Sequence, residues 1–192
     1  MCQGEWEVMA KADPRLLYEQ WVRAHGPELY RFAYRLSGNH QVTEDLVQET
    51  YVEAWKSLTG NRGPEKARAW LFQILRFRYA HFIRDGKRRM QAGPIEGIDA
   101  PDPTPAATDR VADQEILQGA LNELSAELRE TFLMVFMQGY KCREAAEELH
   151  VPLGTVLSRL NRARETLRSR LLVDGSLEPG LAANLRRTDT HE

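Results

Sequence analysis

The sequence predicts an all-α protein: two small helical domains joined by a flexible acidic linker. Three observations predict it. Apolar residues recur at helical spacing on both sides of the chain's middle, while strand-like alternation and Asn-Gly hairpin signals are absent. A proline-rich acidic stretch, GPIEGIDAPDPTPAATD over residues 93–109, interrupts that pattern. Charge divides along similar lines. Residues 61–92 hold 9 basic and 2 acidic side chains, 93–128 hold 1 and 8, and 129–172 hold 8 and 5.

The elements follow in order. Leu29, Phe32, Ala33 and Leu36 form an i, i+3, i+4, i+7 stripe, which Ser37–Gly38–Asn39–His40 ends. Thr43, followed by Glu44 and Asp45, is the expected N-cap of a helix from about Glu44 to Leu58. That helix is expected to bury Val47, Tyr51, Ala54, Trp55 and Leu58. Thr59 to Pro64 is a loop, and a third helix runs from about Glu65 to Asp85 with Trp70, Leu71, Ile74 and Leu75 on its apolar side. Proline lacks the N–H that helices need, and little in 93–109 is apolar enough to pack, so that stretch is a connector. Four helices follow: Val111–Leu124, Ala126–Met137 capped by Ser125, Lys141–Leu149 and Gly154–Leu172. Gly139 ends the second of them and Thr155 is a candidate cap for the last. The predicted organisation is a first domain over 15–92, a linker over 93–110, a second domain over 111–172 and a tail over 173–192.

Composition narrows the function. The 192 residues carry a formal net charge of −2, which alone argues against a polyanion partner. The uneven blocks argue the other way, because two basic segments flank an acidic one. No apolar run approaches the ~20 residues of a membrane helix. The first residues carry acids where a secretory signal is basic and then apolar, so a cytoplasmic location is expected. Cys2 and Cys142 form no CxxC pair, and the five histidines are scattered, so no disulfide framework or four-ligand zinc site is expected. No P-loop or catalytic triad pattern is present, so no cofactor and no enzyme activity are expected.

The last two helices have helix-turn-helix geometry, in which the second helix enters the DNA major groove. Val156, Leu160, Ala163, Leu167 and Leu171 cluster on one side of the last helix. Thr155, Ser158 and Arg162 project from the other, Arg159 lies on the flank, and Arg164 adds charge. Hydroxyls suit phosphate, and arginine forks suit phosphate and the guanine edge.

The segment EAAEELHVPLGTVLSRLNRAR over 144–164 resembles the promoter −35 binding helix-turn-helix of extracytoplasmic-function (ECF) sigma factors of the sigma-70 family. In the first block, LYRFAYRL over 29–36, EDLVQETY over 44–51 and AWL over 69–71 resemble the sigma-2 domain in order and spacing. The resemblance implies a sigma-2 domain and a sigma-4 domain. It also implies a promoter-specificity subunit whose partners are core RNA polymerase, through its β′ coiled-coil and β flap, promoter DNA and a possible anti-sigma factor. Asp45, Gln48 and Glu49 stand where family members contact the β′ coiled-coil. Asn61 and Arg62 stand where they capture an unpaired −10 base. Opening a promoter requires a basic surface for phosphate, for which Arg76, Arg78, Arg84, Lys87 and Arg88 are candidates. Trp70, Phe72, Phe77, Tyr79 and Phe82 interleave with these cations and are expected mostly in the core.

Departures limit the carry-over. Phe77 and His81 replace a common Asn and Asp in the −10 reading helix, and Leu157 replaces a usual Lys. Cys142 stands where an aromatic is frequent and is expected as a packed thiol. The acids Glu96, Asp99, Asp102 and Asp109 give the linker a charge that could mimic nucleic acid in a basic channel. Two other readings stay open on the residues: a stand-alone helix-turn-helix regulator, and a sigma-like decoy for an anti-sigma factor. The Gln48/Glu49 face tests the first, and the Arg159/Arg162 surface argues against the second.

Overall fold

The computed structural model describes residues 13–59, 64, 66–91 and 109–173. Among the described residues the chain forms seven helices and no strand. They are α1 (Pro14–Ser37), α2 (His40–Thr59), α3 (Ala67–Gln91), α4 (Asp109–Asn122), α5 (Ala126–Phe136), α6 (Cys142–Glu148) and α7 (Leu153–Val173). The chain divides into two compact units, Met1–Pro101 and Asp102–Glu192.

In the first unit α1, α2 and α3 each pack on the other two. Asp13 starts α1 by accepting the Arg15 N–H at 2.9 Å, and Pro14 follows where a missing N–H costs nothing. Pro27 lies inside α1, yet Trp21 and Leu29 on either side of it are both buried. Their burial offsets the one backbone bond that proline forgoes. Gly38, at φ 67°, ends the helix with its N–H on the Tyr34 carbonyl at 2.8 Å.

The start of α2 corrects the expected cap. Asn39, not Thr43, is the cap: its Oδ1 accepts the Val42 N–H at 3.0 Å. Thr43 is buried one turn inside, where its hydroxyl donates to the Asn39 carbonyl at 2.7 Å. The buried face of α2 is Thr43, Leu46, Thr50, Ala54 and Leu58. Val47, Tyr51 and Trp55, expected inside, are only half-buried. Small hydroxyl residues hold the face where three helices crowd, and the aromatics sit at its edge.

The core closes on Phe32 and Phe72, whose rings meet edge to face at 5.3 Å, and on Trp21 and Trp70 at 5.8 Å. Tyr79 donates its hydroxyl to the Leu36 carbonyl at 2.9 Å. Arg68 grips Glu28 with two N–H groups, one of them 3.0 Å from Oε2, and so ties α3 to α1.

In the second unit Ser125 caps α5 as expected, accepting the Leu128 N–H at 3.4 Å. Buried Arg129 closes the end of α4, donating to the carbonyls of Asn122 at 2.9 Å and Leu124 at 3.2 Å. The helix α4 starts at Asp109, so the last two residues of the expected 93–110 linker are already helical. The remainder of that linker, including Glu96, Asp99 and Asp102, lies outside the described residues, as does the 174–192 part of the tail. Met134, Ala145, Ala146, Val156 and Leu160 form the core against which α5, α6 and α7 pack, and Cys142 lies half-buried against it.

Candidate nucleic-acid interface

The turn between α6 and α7 sets the reading helix. Lys141 starts α6 with its backbone N–H on Glu144 Oε2 at 2.8 Å. At the other end His150 takes a left-handed φ of 53°. Its N–H reaches the Glu147 carbonyl at 3.2 Å, and the Val151 N–H reaches the Ala146 carbonyl at 3.0 Å. This pairing is a Schellman closure, with Val151 packed on the core of the unit. The chain then restarts at Leu153. Thr155, expected as the cap, is instead the third residue of α7, with its N–H on the Pro152 carbonyl at 2.9 Å. Proline can supply that carbonyl without needing a donor of its own.

The surface of α7 divides the expected DNA-facing residues. Ser158 and Arg162 are exposed, while Thr155 and Arg159 are half-buried. The Ser158 hydroxyl donates to the Thr155 carbonyl at 2.9 Å, which leaves its oxygen as an outward acceptor. Arg164 departs from its expected place. Its guanidinium lies 5.5 Å from the centre of the Phe136 ring, and its Nε is buried without a hydrogen-bond partner among the described residues. That position follows the helix: Arg164 falls one residue after buried Ala163, on the flank that meets α5.

The cations of α3 divide in the same way. Arg76, expected to face phosphate, is 5% exposed and shares the inner face with Phe72 and Tyr79. It sits at i+4 from Phe72, so the helical period carries it inward despite its charge. Arg78 is half-buried and turned to α2, with NH2 2.7 Å from Glu53 Oε2 and NH1 3.9 Å from Glu49. Arg84 is exposed, with its guanidinium 2.6 Å from His81 Nδ1. Lys87 and Arg88 lie on the same helix. Asn61 and Arg62 lie outside the described residues.

Asp45, Gln48 and Glu49 share one exposed face of α2 at i, i+3 and i+4. Val52, three residues beyond Glu49, extends that face and is 52% exposed. Sequence reasoning passed over Val52, although its i+7 spacing from Asp45 places it there. Phe77, noted as a departure in the −10 reading helix and grouped with aromatics expected mostly in the core, is 60% exposed, its ring 4.4 Å from that of His81. No cluster of metal-ligating side chains and no helix long and apolar enough to cross a membrane occurs among the described residues.

An exposed polar face on α2 of one unit and a helix-turn-helix on the other fit a bipartite transcription factor, and sequence comparison gives the same class. Sigma-70 region 2 matches residues 21–89, and Sigma-70, region 4 matches residues 114–167. The chain is 36% identical over 160 residues to the ECF RNA polymerase sigma factor SigE of Mycolicibacterium smegmatis, covering 80% of this chain and 61% of that protein. It is 33% identical over 157 residues to the ECF RNA polymerase sigma factor SigL of Mycobacterium tuberculosis, covering 80% of this chain and 86% of that protein. Its fold is similar to that of the sigma factor RpoE from Bartonella quintana, solved in complex with the anti-sigma factor NepR. That likeness has a TM-score of 0.63 and 32% identity, over 82% of this chain and 98% of that one. The chain belongs to the extracytoplasmic-function sigma factors of the sigma-70 family.

Proposed function

We propose that this chain is a non-catalytic specificity subunit of RNA polymerase acting in the cytoplasm. It docks on core enzyme, places it at a promoter with separate −35 and −10 elements, and helps open the DNA. One observation carries the reading. A single chain joins an exposed Asp45–Gln48–Glu49 face on α2 to a helix-turn-helix that leaves Ser158 and Arg162 exposed. A stand-alone regulator needs the second feature and not the first.

In this reading the unit carrying α1 to α3 docks through the α2 face on the β′ coiled-coil. Arg84, Lys87 and Arg88 meet the phosphates of the −10 region, with Asn61 and Arg62 at an unpaired base. Arg78 acts through Glu49 and Glu53, holding the acidic face in place. The α7 helix enters the major groove of the −35 element. Ser158 and Arg162 contact it directly, Thr155 and Arg159 support them, and the β flap is the second polymerase contact. An anti-sigma factor, the kind of partner bound to the solved relative, is proposed as the regulator.

The reading is tested by assembly. Wild-type chain is expected to co-elute with core polymerase in equal amounts. Gln48→Lys with Glu49→Lys is expected to abolish co-elution while leaving the helical circular-dichroism signal unchanged, because both side chains are exposed. Unimpaired assembly of the double variant would remove that face from the interface.

A further inference from the structure

The reading helix carries an apolar element that hydrogen bonding and charge do not explain. Leu157 is 47% exposed, and Leu153, one turn before it, is 36% exposed. The inward stripe of α7 is Val156, Leu160, Ala163 and Leu167, all buried. Leu157 therefore stands off that stripe, on one flank of the helix and one turn from exposed Asn161. Single exposed leucines are ordinary on protein surfaces. This pair is not isolated in that sense: it occupies the N-terminal half of α7, the half that reaches base edges in a helix-turn-helix. Arg162 and Arg168 are exposed on the same helix and supply charge complementary to DNA.

We propose that Leu157 reads a thymine, packing its isobutyl group against the C5-methyl in the major groove of the −35 element. The inference rests on the promoter-reading role above and names the base chemistry of that site. Of the features a base pair shows in the major groove, only the thymine methyl is apolar. Against guanine, adenine or cytosine, Leu157 would cover a donor or acceptor and offer no replacement hydrogen bond. Selection is thus both attractive and repulsive, which favours one base over the other three. Leu153 lies a turn away on the same flank and shields the contact from water.

The test uses full-length chain assembled with core polymerase and a duplex library randomised across the −35 element. Wild type is expected to select thymine at one or more positions. Replacing such a thymine by deoxyuridine removes only the methyl and is expected to weaken wild-type binding roughly three- to fivefold at one position. Leu157→Ala is expected to be indifferent to that swap and to relax selection there alone. Leu157→Lys is expected to lose thymine preference and to bind all sequences with steeper salt dependence. A wild type indifferent to deoxyuridine at every selected thymine would overturn the inference. So would a Leu157→Ala variant that keeps the full methyl preference. If wild-type holoenzyme selects no −35 sequence at all, the promoter-reading role itself fails, a separate outcome. Co-elution of each variant with core polymerase checks that it is folded.

Discussion

Replacing His150 by glycine is expected to stabilise the second unit without changing what it binds. His150 holds the left-handed turn between α6 and α7 at φ 53°. An L side chain in that conformation costs roughly 1–2 kcal/mol, and histidine lies toward the lower end because it is enriched there. Glycine removes the cost but has more freedom to lose on folding, which offsets about 0.5–1 kcal/mol. The net gain is therefore up to about 0.5 kcal/mol. In a domain of 60–100 residues, 1 kcal/mol moves Tm by roughly 4–8 °C, so a rise of up to about 4 °C is expected. No packing is lost, because His150 is exposed, and the turn's hydrogen bonds are all backbone. Calorimetry of the full chain measures the shift. Tryptophan fluorescence separates the units, since Trp6, Trp21, Trp55 and Trp70 all lie within Met1–Pro101. His150→Ala keeps the strained φ and is the control. A glycine variant no more stable than the alanine variant would refute the strain argument.

Three further outcomes are expected. Tyr51 has a buried hydroxyl without a hydrogen-bond partner among the described residues, and burial raises its pKa to about 12. Tyr51→Phe is expected to stabilise the first unit by about 1 kcal/mol in urea unfolding, since an unsatisfied buried hydroxyl costs about 1–3 kcal/mol. Between about pH 10 and 12 the folded chain keeps a proton that the unfolded chain releases, so wild-type stability falls there and the variant's falls less. A phenylalanine variant less stable than wild type would indicate a partner for that hydroxyl. Glu28 is held below its ordinary pKa, chiefly by its hydrogen bonds to Arg68. Its contribution is full above the ordinary glutamate value of about 4.3 and is lost as pH falls through the lowered folded value. Wild-type Tm is thus expected to fall more steeply than that of Glu28→Gln as pH falls below the ordinary glutamate value, modestly because the pair is partly exposed. Parallel curves would exclude the pair as a source of acid sensitivity. Arg162→Ala is expected to weaken promoter binding at all salt concentrations and to lower the slope of log K against log salt by about one. An unchanged slope would place Arg162 off the phosphate backbone.

Periodic stripes, caps and breakers made most of the architecture legible. Ser125, Gly139 and Pro152 punctuate the second unit where the sequence places them, and the resulting helices agree within about two residues. The first half of α1 was not legible. The apolar stripe starts at Leu29, and the helix reaches back through Pro27 with Trp21 and Leu29 both buried. The cap of α2 was misplaced because Thr43 satisfies the local rule for a cap, and the three-helix contact then uses it as a small core residue.

Charge was the less reliable guide to the site. Counting arginines gave a correct sense of a basic helix in α3, but Arg76 is drawn inward by its register with Phe72 and Tyr79. Arg164 is taken by Phe136, a residue 28 positions away in sequence that no local pattern links to it. Conversely, Phe77 reads as core by type and is 60% exposed by register. The exposed α2 face was legible because the Asp45, Gln48 and Glu49 spacing and the neighbouring buried stripe give the same orientation. Register decided each of these cases, and residue type alone did not.

Transcription by the reconstituted holoenzyme shows whether this two-unit subunit selects promoters. Core polymerase with this chain is expected to initiate on genomic DNA at a discrete set of start sites. Those sites are expected to share one upstream pair of elements at −35 and −10, absent from the products of core enzyme alone. Start sites indistinguishable from those of core enzyme, with no shared pair of elements, would contradict the account.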